Sequence, residues 1–157
     1  MNSFLSSDQL ASFGSECRNQ GRKVVFTNGC FDLLHVGHVR YLQQARTLGD
    51  LLVVAINSDR SVSALKGPLR PLNLERERAE VVAALRCVDA VTIFDDLRAT
   101  AVIEKLCPAI YVKGGDYTID SLDPDERTAL KKCGSEVVIL PLVPGRSTTA
   151  LTQKMAR

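Results

Sequence analysis

The chain has 157 residues, 45% hydrophobic and 24% charged, which is the composition of a globular domain with its own core. Twenty Lys and Arg residues nearly balance 18 Asp and Glu residues, and they are scattered along the sequence, so we expect no nucleic-acid partner. No apolar run reaches the length of a membrane span, and residues 1–10 do not resemble a signal peptide. We therefore expect a cytoplasmic protein with no membrane partner.

The first half of the chain alternates helix and strand. A helix over 5–20 begins near Ser7 or Asp8, and the β-branched run 23–28 predicts a buried strand that ends at Gly29. A helix over 37–49 and a second strand over 51–58 follow. Residues 59–73 are rich in turn formers and basic residues, and we expect a long loop there with at most one helical turn.

The second half continues the alternation. Asn73 is the predicted cap of the next helix, and Asp123 and Gly134 bound a later one. The strands are expected over 90–94, 109–115 and 136–141, and the helices over 74–87, 95–107, 123–134 and 147–157. This pattern predicts an α/β, Rossmann-like, doubly wound five-stranded parallel sheet of order 3-2-1-4-5, with helices on both faces. We expect a single domain over 1–157, with an N-terminal helix in 1–22 and the core in 23–157.

The cysteines carry no clear site signal. Their number is odd, no two form a C-x-x-C pair, and the chain has only two histidines, so neither a disulfide framework nor a zinc cluster is expected. Reduced, packed thiols are the prediction for all five: Cys17, Cys30, Cys87, Cys107 and Cys133.

The turn after the first main strand, TNGCFDLLHVGH over 27–38, is the predicted site. Ligands of open parallel sheets bind beyond the carboxyl ends of the strands. His35 and His38 are three residues apart at a predicted helix start; Gly29 precedes them, and Gly37 lies between them. Two imidazoles beside a helix N-terminus predict a phosphate site rather than a metal site. The alternative is a pair of structural histidines. Neither a Walker loop nor a G-x-G-x-x-G motif is present.

Three other segments could support such a site. Ser147 and Thr148, with Gly145, Arg146 and Thr149, begin the predicted last helix, where hydroxyls and backbone N–H groups suit phosphates. Lys66 and Arg70 lie in the predicted loop, which could close over phosphates or be plain solvated surface. Lys113, Gly114, Gly115 and Asp116 end the fourth main strand, where ordinary turn chemistry explains the glycines almost as well. Arg78, inside a predicted helix, is expected to be solvent-exposed.

These motifs resemble those of the HxGH nucleotidyltransferases. The match covers residues 26–42, 54–62, 65–73, 78–91, 111–117 and 145–151, and is strongest for the branch that adenylylates heptose 1-phosphates. The resemblance implies that ATP and D-glycero-β-D-manno-heptose 1-phosphate give ADP-heptose and pyrophosphate, for lipopolysaccharide core synthesis. It also implies Mg²⁺ with ATP and a homodimer. We assign no residue as a metal ligand, and which residues would hold the metal stays open.

The resemblance also assigns roles by position. His35, His38 and Lys66 would act on the triphosphate. Nucleotide binding would fall to Thr27, Asn28, Gly29, Cys30, Phe31, Gly37, Arg78, Lys113, Gly115, Asp116, Ser147 and Thr148. The substrate side would hold Asp32, Asp59 and Arg70.

Two other functions remain open from the sequence. One is a cytidylyltransferase acting on glycerol 3-phosphate or ethanolamine phosphate, although Leu142 stands where that branch carries an arginine. The other is a nucleotide-binding module without turnover. In each enzymatic case the attacking phosphate is already anionic, so catalysis requires positioning and charge neutralisation and no general base.

Overall fold

One parallel sheet organises the part of the protein that the computed structural model describes, residues 3–115 and 117–141. Its strands are β1 Ser3–Phe4, β2 Val24–Gly29, β3 Leu51–Asn57, β4 Ala90–Phe94, β5 Ile110–Gly114 and β6 Glu136–Leu140. They lie in the order β1-β4-β3-β2-β5-β6. Without β1, this is the predicted order 3-2-1-4-5, which is confirmed. The unpredicted β1 adds two residues at the edge, beside β4.

The helices fill the connections between the strands. They are α1 Gln9–Asn19, α2 Val36–Arg46, α3 Asp59–Lys66, α4 Glu75–Ala83, α5 Thr100–Leu106 and α6 Pro124–Cys133, with a 3₁₀ turn at Ile119–Ser121. Aspartate Asp123 caps α6 by accepting a hydrogen bond from the N–H of Asp125, and Gly134 ends it with a φ of 68°, as predicted. The predicted helix over 147–157 lies outside the described residues.

Two local predictions need correction. The segment after β3 begins with the eight-residue helix α3 and not with a loop, because the Ser58 side chain accepts a hydrogen bond from the N–H of Ser61 and caps it. Residue Leu74, and not Asn73, is the N-cap of α4. The Asn73 side-chain amide instead donates a hydrogen bond to the carbonyl of Asp32 at 2.7 Å.

The core has two layers because successive strand residues point to opposite faces of the sheet. Phe26, Val53 and Tyr111 pack with α1, α5 and α6 on one face. The other face packs Val25 and Val54 against α2 and α4. The strand order reverses between β2 and β5, which are parallel neighbours in the sheet, so a crevice is expected at their carboxyl ends. Among the described helices, none has the length and apolarity that crossing a membrane requires.

The prediction that every cysteine is a reduced thiol is wrong for one pair. Cys107 and Cys133 form a disulfide between the ends of α5 and α6, although 26 positions separate them in the sequence. The helices bring these ends together, and spacing along the chain does not reveal that. Cys17, Cys30 and Cys87 are free thiols.

Candidate functional site

The two histidines begin α2 side by side. Their ring centroids lie 4.0 Å apart with an angle of 30° between the planes. The Nδ1 of His35 accepts a hydrogen bond from the N–H of Gly37 at 3.1 Å, and the Nδ1 of His38 accepts one from the N–H of His35 at 3.4 Å. When Nδ1 is an acceptor in a neutral imidazole, the proton is on Nε2. Both rings therefore carry an Nε2–H donor, as a phosphate oxygen requires.

The surroundings of His38 keep its imidazole neutral. Burial, followed by the proximity of His35 and of the Lys66 ammonium, lowers the pKa of His38 to about 4. At neutral pH the ring is thus a hydrogen-bond donor without a positive charge. The influence of Lys66 also indicates that the last residue of α3 lies within electrostatic reach of the imidazoles.

The ring of Phe31 supports this arrangement. It is buried and packs on His38 with 5.3 Å between the ring centroids. A Cβ at Gly29 would lie 3.0 Å from the Phe31 ring, so glycine makes room for that ring. The left-handed backbone conformation of the turn is at Phe31, with φ of 47°, and Gly29 is the last residue of β2. The absence of a side chain at Gly29 therefore serves packing.

A cleft of about 500 Å³ opens at the carboxyl edge of the sheet, beside the histidine turn. We call it the sheet-edge cleft; its lining includes Asn28, Gly29, Cys30, Lys66, Lys113 and Glu126. It lies where β2 and β5 are neighbours, as expected for a doubly wound sheet. The structure thus brings together predicted residues from β2, α3 and β5. The two histidines adjoin the cleft through Cys30 and Phe31 and are not part of its lining.

Sequence reasoning missed several residues of this cleft. Asn57, Arg98, Tyr117 and Glu126 also line it. A signal existed for Asn57, because it is a polar residue that ends a fully buried strand, as Asn28 nearly ends β2. Glu126 gave no signal, since an acidic residue in the first turn of a helix is ordinarily exposed.

Arg78 is buried and not solvent-exposed, contrary to prediction, with 2% of its surface accessible. Its Nε donates a hydrogen bond to the carbonyl of Asn73 at 2.9 Å, and another guanidinium nitrogen donates to the carbonyl of Cys30. The third nitrogen donates to the carbonyl of Asn57 and to the Asp59 carboxylate, both at 2.8 Å. The side chain therefore fixes the segments that follow β2 and β3. Its direct contact with a nucleotide stays a prediction.

Asp32 and Arg70, both predicted on the substrate side, form an ion pair that holds a second part of the site in place. Arg70 is 2.7 Å from an Asp32 carboxylate oxygen, and the N–H groups of Leu72 and Asn73 donate to the other oxygen. Burial raises the pKa of Asp32, but the hydrogen bonds from Arg70, Asn73 and Leu72 outweigh it and hold that pKa below its usual value. The pair anchors the chain between α3 and α4 onto the histidine turn.

Some predicted residues occupy structural positions. Thr27 is completely buried, and its hydroxyl is 2.8 Å from the Tyr41 hydroxyl, so its side chain does not line the cleft. Gly115 has a φ of 86°, which favours glycine, and its N–H donates to the carbonyl of Leu140. Asp116, Ser147 and Thr148, with Gly145, Arg146, Thr149 and Leu142, lie outside the described residues.

The described residues offer no donor set for a metal held by protein ligands. No group of three or more His, Cys, Asp or Glu side chains suited to a metal occurs within 3–115 and 117–141. Asp32, the buried carboxylate at the histidine turn, is already engaged by Arg70 and two backbone N–H groups.

Comparison with known proteins agrees with this geometry. Residues 26–154 match the cytidylyltransferase-like family. The chain is 50% identical over 150 residues to the bifunctional protein HldE of Geobacter sulfurreducens and 52% identical over 138 residues to that of Syntrophotalea carbinolica. These alignments cover 96% and 88% of the chain but only 30% and 28% of the relatives, so the chain spans about a third of their length.

Two solved structures resemble the fold. The lipopolysaccharide core biosynthesis protein from Thermoplasma volcanium superposes with a TM-score of 0.63 at 29% identity, over 78% of this chain and 98% of that one. Pantoate-beta-alanine ligase from Francisella tularensis, with a TM-score of 0.58 and 12% identity over 98% and 73% of the two chains, shares the fold alone. The family match over 26–154 is decisive: the chain belongs to the cytidylyltransferase-like family.

Proposed function

We propose that the protein transfers AMP from ATP to D-glycero-β-D-manno-heptose 1-phosphate, giving ADP-heptose and pyrophosphate for lipopolysaccharide core synthesis. The observation that carries the proposal is the histidine pair. Both Nδ1 atoms accept hydrogen bonds from backbone N–H groups, so both rings carry their proton on Nε2, at the start of a helix and beside a cleft that contains lysines.

The reaction needs donors and positive charge more than it needs a base. An oxygen of the sugar phosphate forms a bond to the α-phosphorus of ATP, and the bond from that phosphorus to the pyrophosphate oxygen breaks in line with it. The Nε2–H groups of His35 and His38 would donate hydrogen bonds to the α-phosphate oxygens as charge develops. Lys66, at the end of α3, would neutralise the charge of the departing pyrophosphate.

Roles for the remaining predicted residues follow from their positions. Asn28, Gly29 and Cys30 line the sheet-edge cleft and would contact the nucleotide, and Lys113, which lines the same cleft, would meet a phosphate. Asp32, Arg70, Arg78 and Asp59 would hold the surrounding segments in place. Asp116, Ser147 and Thr148 are proposed ligands on resemblance alone.

The choice of substrates rests on the relatives. Two HldE proteins at 50% and 52% identity and a lipopolysaccharide core biosynthesis protein at 29% favour a heptose phosphate over other acceptors. The family name leaves the alternative of a cytidylyltransferase acting on glycerol 3-phosphate or ethanolamine phosphate. A binding module without turnover is the third candidate, and the complete histidine pair disfavours it.

Mg²⁺ would accompany ATP as a complex with its phosphates. This ion commonly keeps several waters and binds through substrate phosphates, which suits a site without a cluster of carboxylates in the described residues. No step of the mechanism above depends on a metal held by the protein.

A homodimer and a cytoplasmic location are part of the proposal. Leu69 is 88% exposed and Leu74 is 63% exposed, and with Leu72 and Val81 they form apolar surface between α3 and α4 and on α4. A second copy would cover such surface. The supply of ATP favours the cytoplasm.

The test is a panel of ATP and CTP crossed with heptose 1-phosphate, glycerol 3-phosphate and ethanolamine phosphate, measured by pyrophosphate release and mass spectrometry of the product. We expect turnover only with ATP and the heptose phosphate. Turnover with CTP would select the cytidylyltransferase, and tight ATP binding without any turnover would select the binding module.

A further inference from the structure

A buried carboxylate faces the sheet-edge cleft from the side opposite the histidines. Glu126, in the first turn of α6, is 4% exposed. One of its carboxylate oxygens accepts a hydrogen bond from the N–H of Ala99 at 2.8 Å, just before α5. Because burying a carboxylate is costly, the hydrogen bond and the N-terminus of α6 explain how the charge is tolerated. They do not explain why a charge should line a ligand cleft.

The cation on which Glu126 would act is Lys113, near the end of β5. It lines the same cleft, and its Nζ lies 5.8 Å from the centroid of the Tyr111 ring and 5.3 Å from that of Tyr117. No carboxylate within the described residues is within 4 Å of this ammonium. Arg98, which is paired with Asp123 at 3.3 Å, adds a like charge to the cleft.

The surroundings of Lys113 act on its pKa in both directions. Burial lowers the pKa of Lys113, Glu126 opposes that shift, Arg98 adds to it, and the Cys30 thiol opposes it. Only the protonated form attracts a phosphate as a point charge. The negative charge of Glu126 therefore has the sign needed to offset the lowering of the Lys113 pKa by burial and by Arg98.

We propose that Glu126 is a positioning residue, whose buried carboxylate on the wall of the sheet-edge cleft keeps the neighbouring Lys113 side chain cationic for an anionic ligand. The idea rests on the proposed function only in naming that anion as a nucleotide phosphate. Glu126 itself need not touch the nucleotide.

Glu126→Gln separates the charge from the structural role, because the amide oxygen of glutamine can still accept the hydrogen bond from Ala99. The readout is the rate at which acetic anhydride modifies Lys113 in the full-length chain, followed by mass spectrometry from pH 6 to 11. We expect the pKa of Lys113 to fall by about one unit in this variant. The control Glu104→Gln, at an exposed residue of α5, should leave that pKa unchanged.

Arg98→Gln should shift the pKa of Lys113 in the opposite direction, and it provides the test if Glu126→Gln does not fold. Removing Arg98 and releasing Asp123 should both raise the pKa of Lys113. An unchanged Lys113 titration in Glu126→Gln would overturn the proposal, and so would an unchanged or lowered pKa in Arg98→Gln.

Activity gives a second, separate readout. In a pyrophosphate-release assay, the alkaline fall of kcat/KM should move about one pH unit lower in Glu126→Gln than in the unsubstituted enzyme. A protein without transferase activity would refute the proposed function, while the modification rates would still decide the role of Glu126.

Discussion

Replacing Arg78 with methionine tests the buried network that holds the site. The substitution removes four hydrogen bonds, which reach three backbone carbonyls and the Asp59 carboxylate. Methionine keeps much of the volume, so the loss is mainly polar. Removing one partner of a buried ion pair costs about 3–5 kcal/mol, and an unsatisfied buried acceptor costs about 1–3 kcal/mol.

These terms overlap, because Asp59 is one-third exposed and water can enter to solvate some of the carbonyl groups. We therefore expect the free energy of unfolding to fall by about 4 kcal/mol, a large share of the about 5–15 kcal/mol of a typical domain. Urea denaturation followed by circular dichroism measures this difference.

Arg76→Met is the matched control, because Arg76 is exposed on the same helix. It should change the free energy of unfolding by no more than about 0.5 kcal/mol. A loss below about 1 kcal/mol in Arg78→Met would refute the network as a stabilising element.

The remaining predictions concern turnover and the disulfide. His38→Ala should lower kcat by about 100- to 1,000-fold, because it removes one preorganised hydrogen-bond donor. The control Arg40→Ala, at an exposed residue of the same helix, should keep the rate of the unsubstituted enzyme. Near-normal pyrophosphate release by His38→Ala would reject the catalytic role of His38. Lys66→Ala should slow turnover with little change in Tm, since the Lys66 side chain is exposed. An unaltered rate would show that Lys66 is a surface residue without a catalytic role. Reducing Cys107–Cys133 should lower the free energy of unfolding by about 3.5 kcal/mol for a separation of 26 residues, measured in urea with and without dithiothreitol; coincident curves would contradict it.

The sheet was predictable because its signals are local. The runs 51–57 and 90–94 are almost wholly apolar, and buried parallel strands require that pattern. The histidine pair was predictable for the same reason, since a spacing of three at a helix start brings two side chains together. The two-residue β1 escaped prediction because Ser3 and Phe4 are too few to display a period.

Other features depend on partners that are distant in sequence. Arg78 looks like a surface residue of α4 until Cys30, 48 positions away, supplies a carbonyl acceptor. The charge on Glu126 is tolerated through the N–H of Ala99, 27 positions away. Gly67 and Pro68, turn formers that directly follow α3, obscured a helix whose N-cap, Ser58, was visible in the sequence. Burial of polar groups is thus the step that one sequence does not reveal.

The most direct test uses the fact that the chain has only two histidines. Their side-chain nitrogens can be followed individually by NMR in protein labelled with ¹⁵N-histidine, at a series of pH values and with ATP and Mg²⁺. Because its surroundings lower the pKa of His38 from the usual 6.5 to about 4, its ring should stay neutral from pH 8 down to pH 5. Both rings should carry the proton on Nε2 at pH 7, and ATP should shift both Nε2 signals. A His38 that is protonated at pH 6, or Nε2 signals that ATP leaves unchanged, would contradict the histidine pair as the phosphate-binding element.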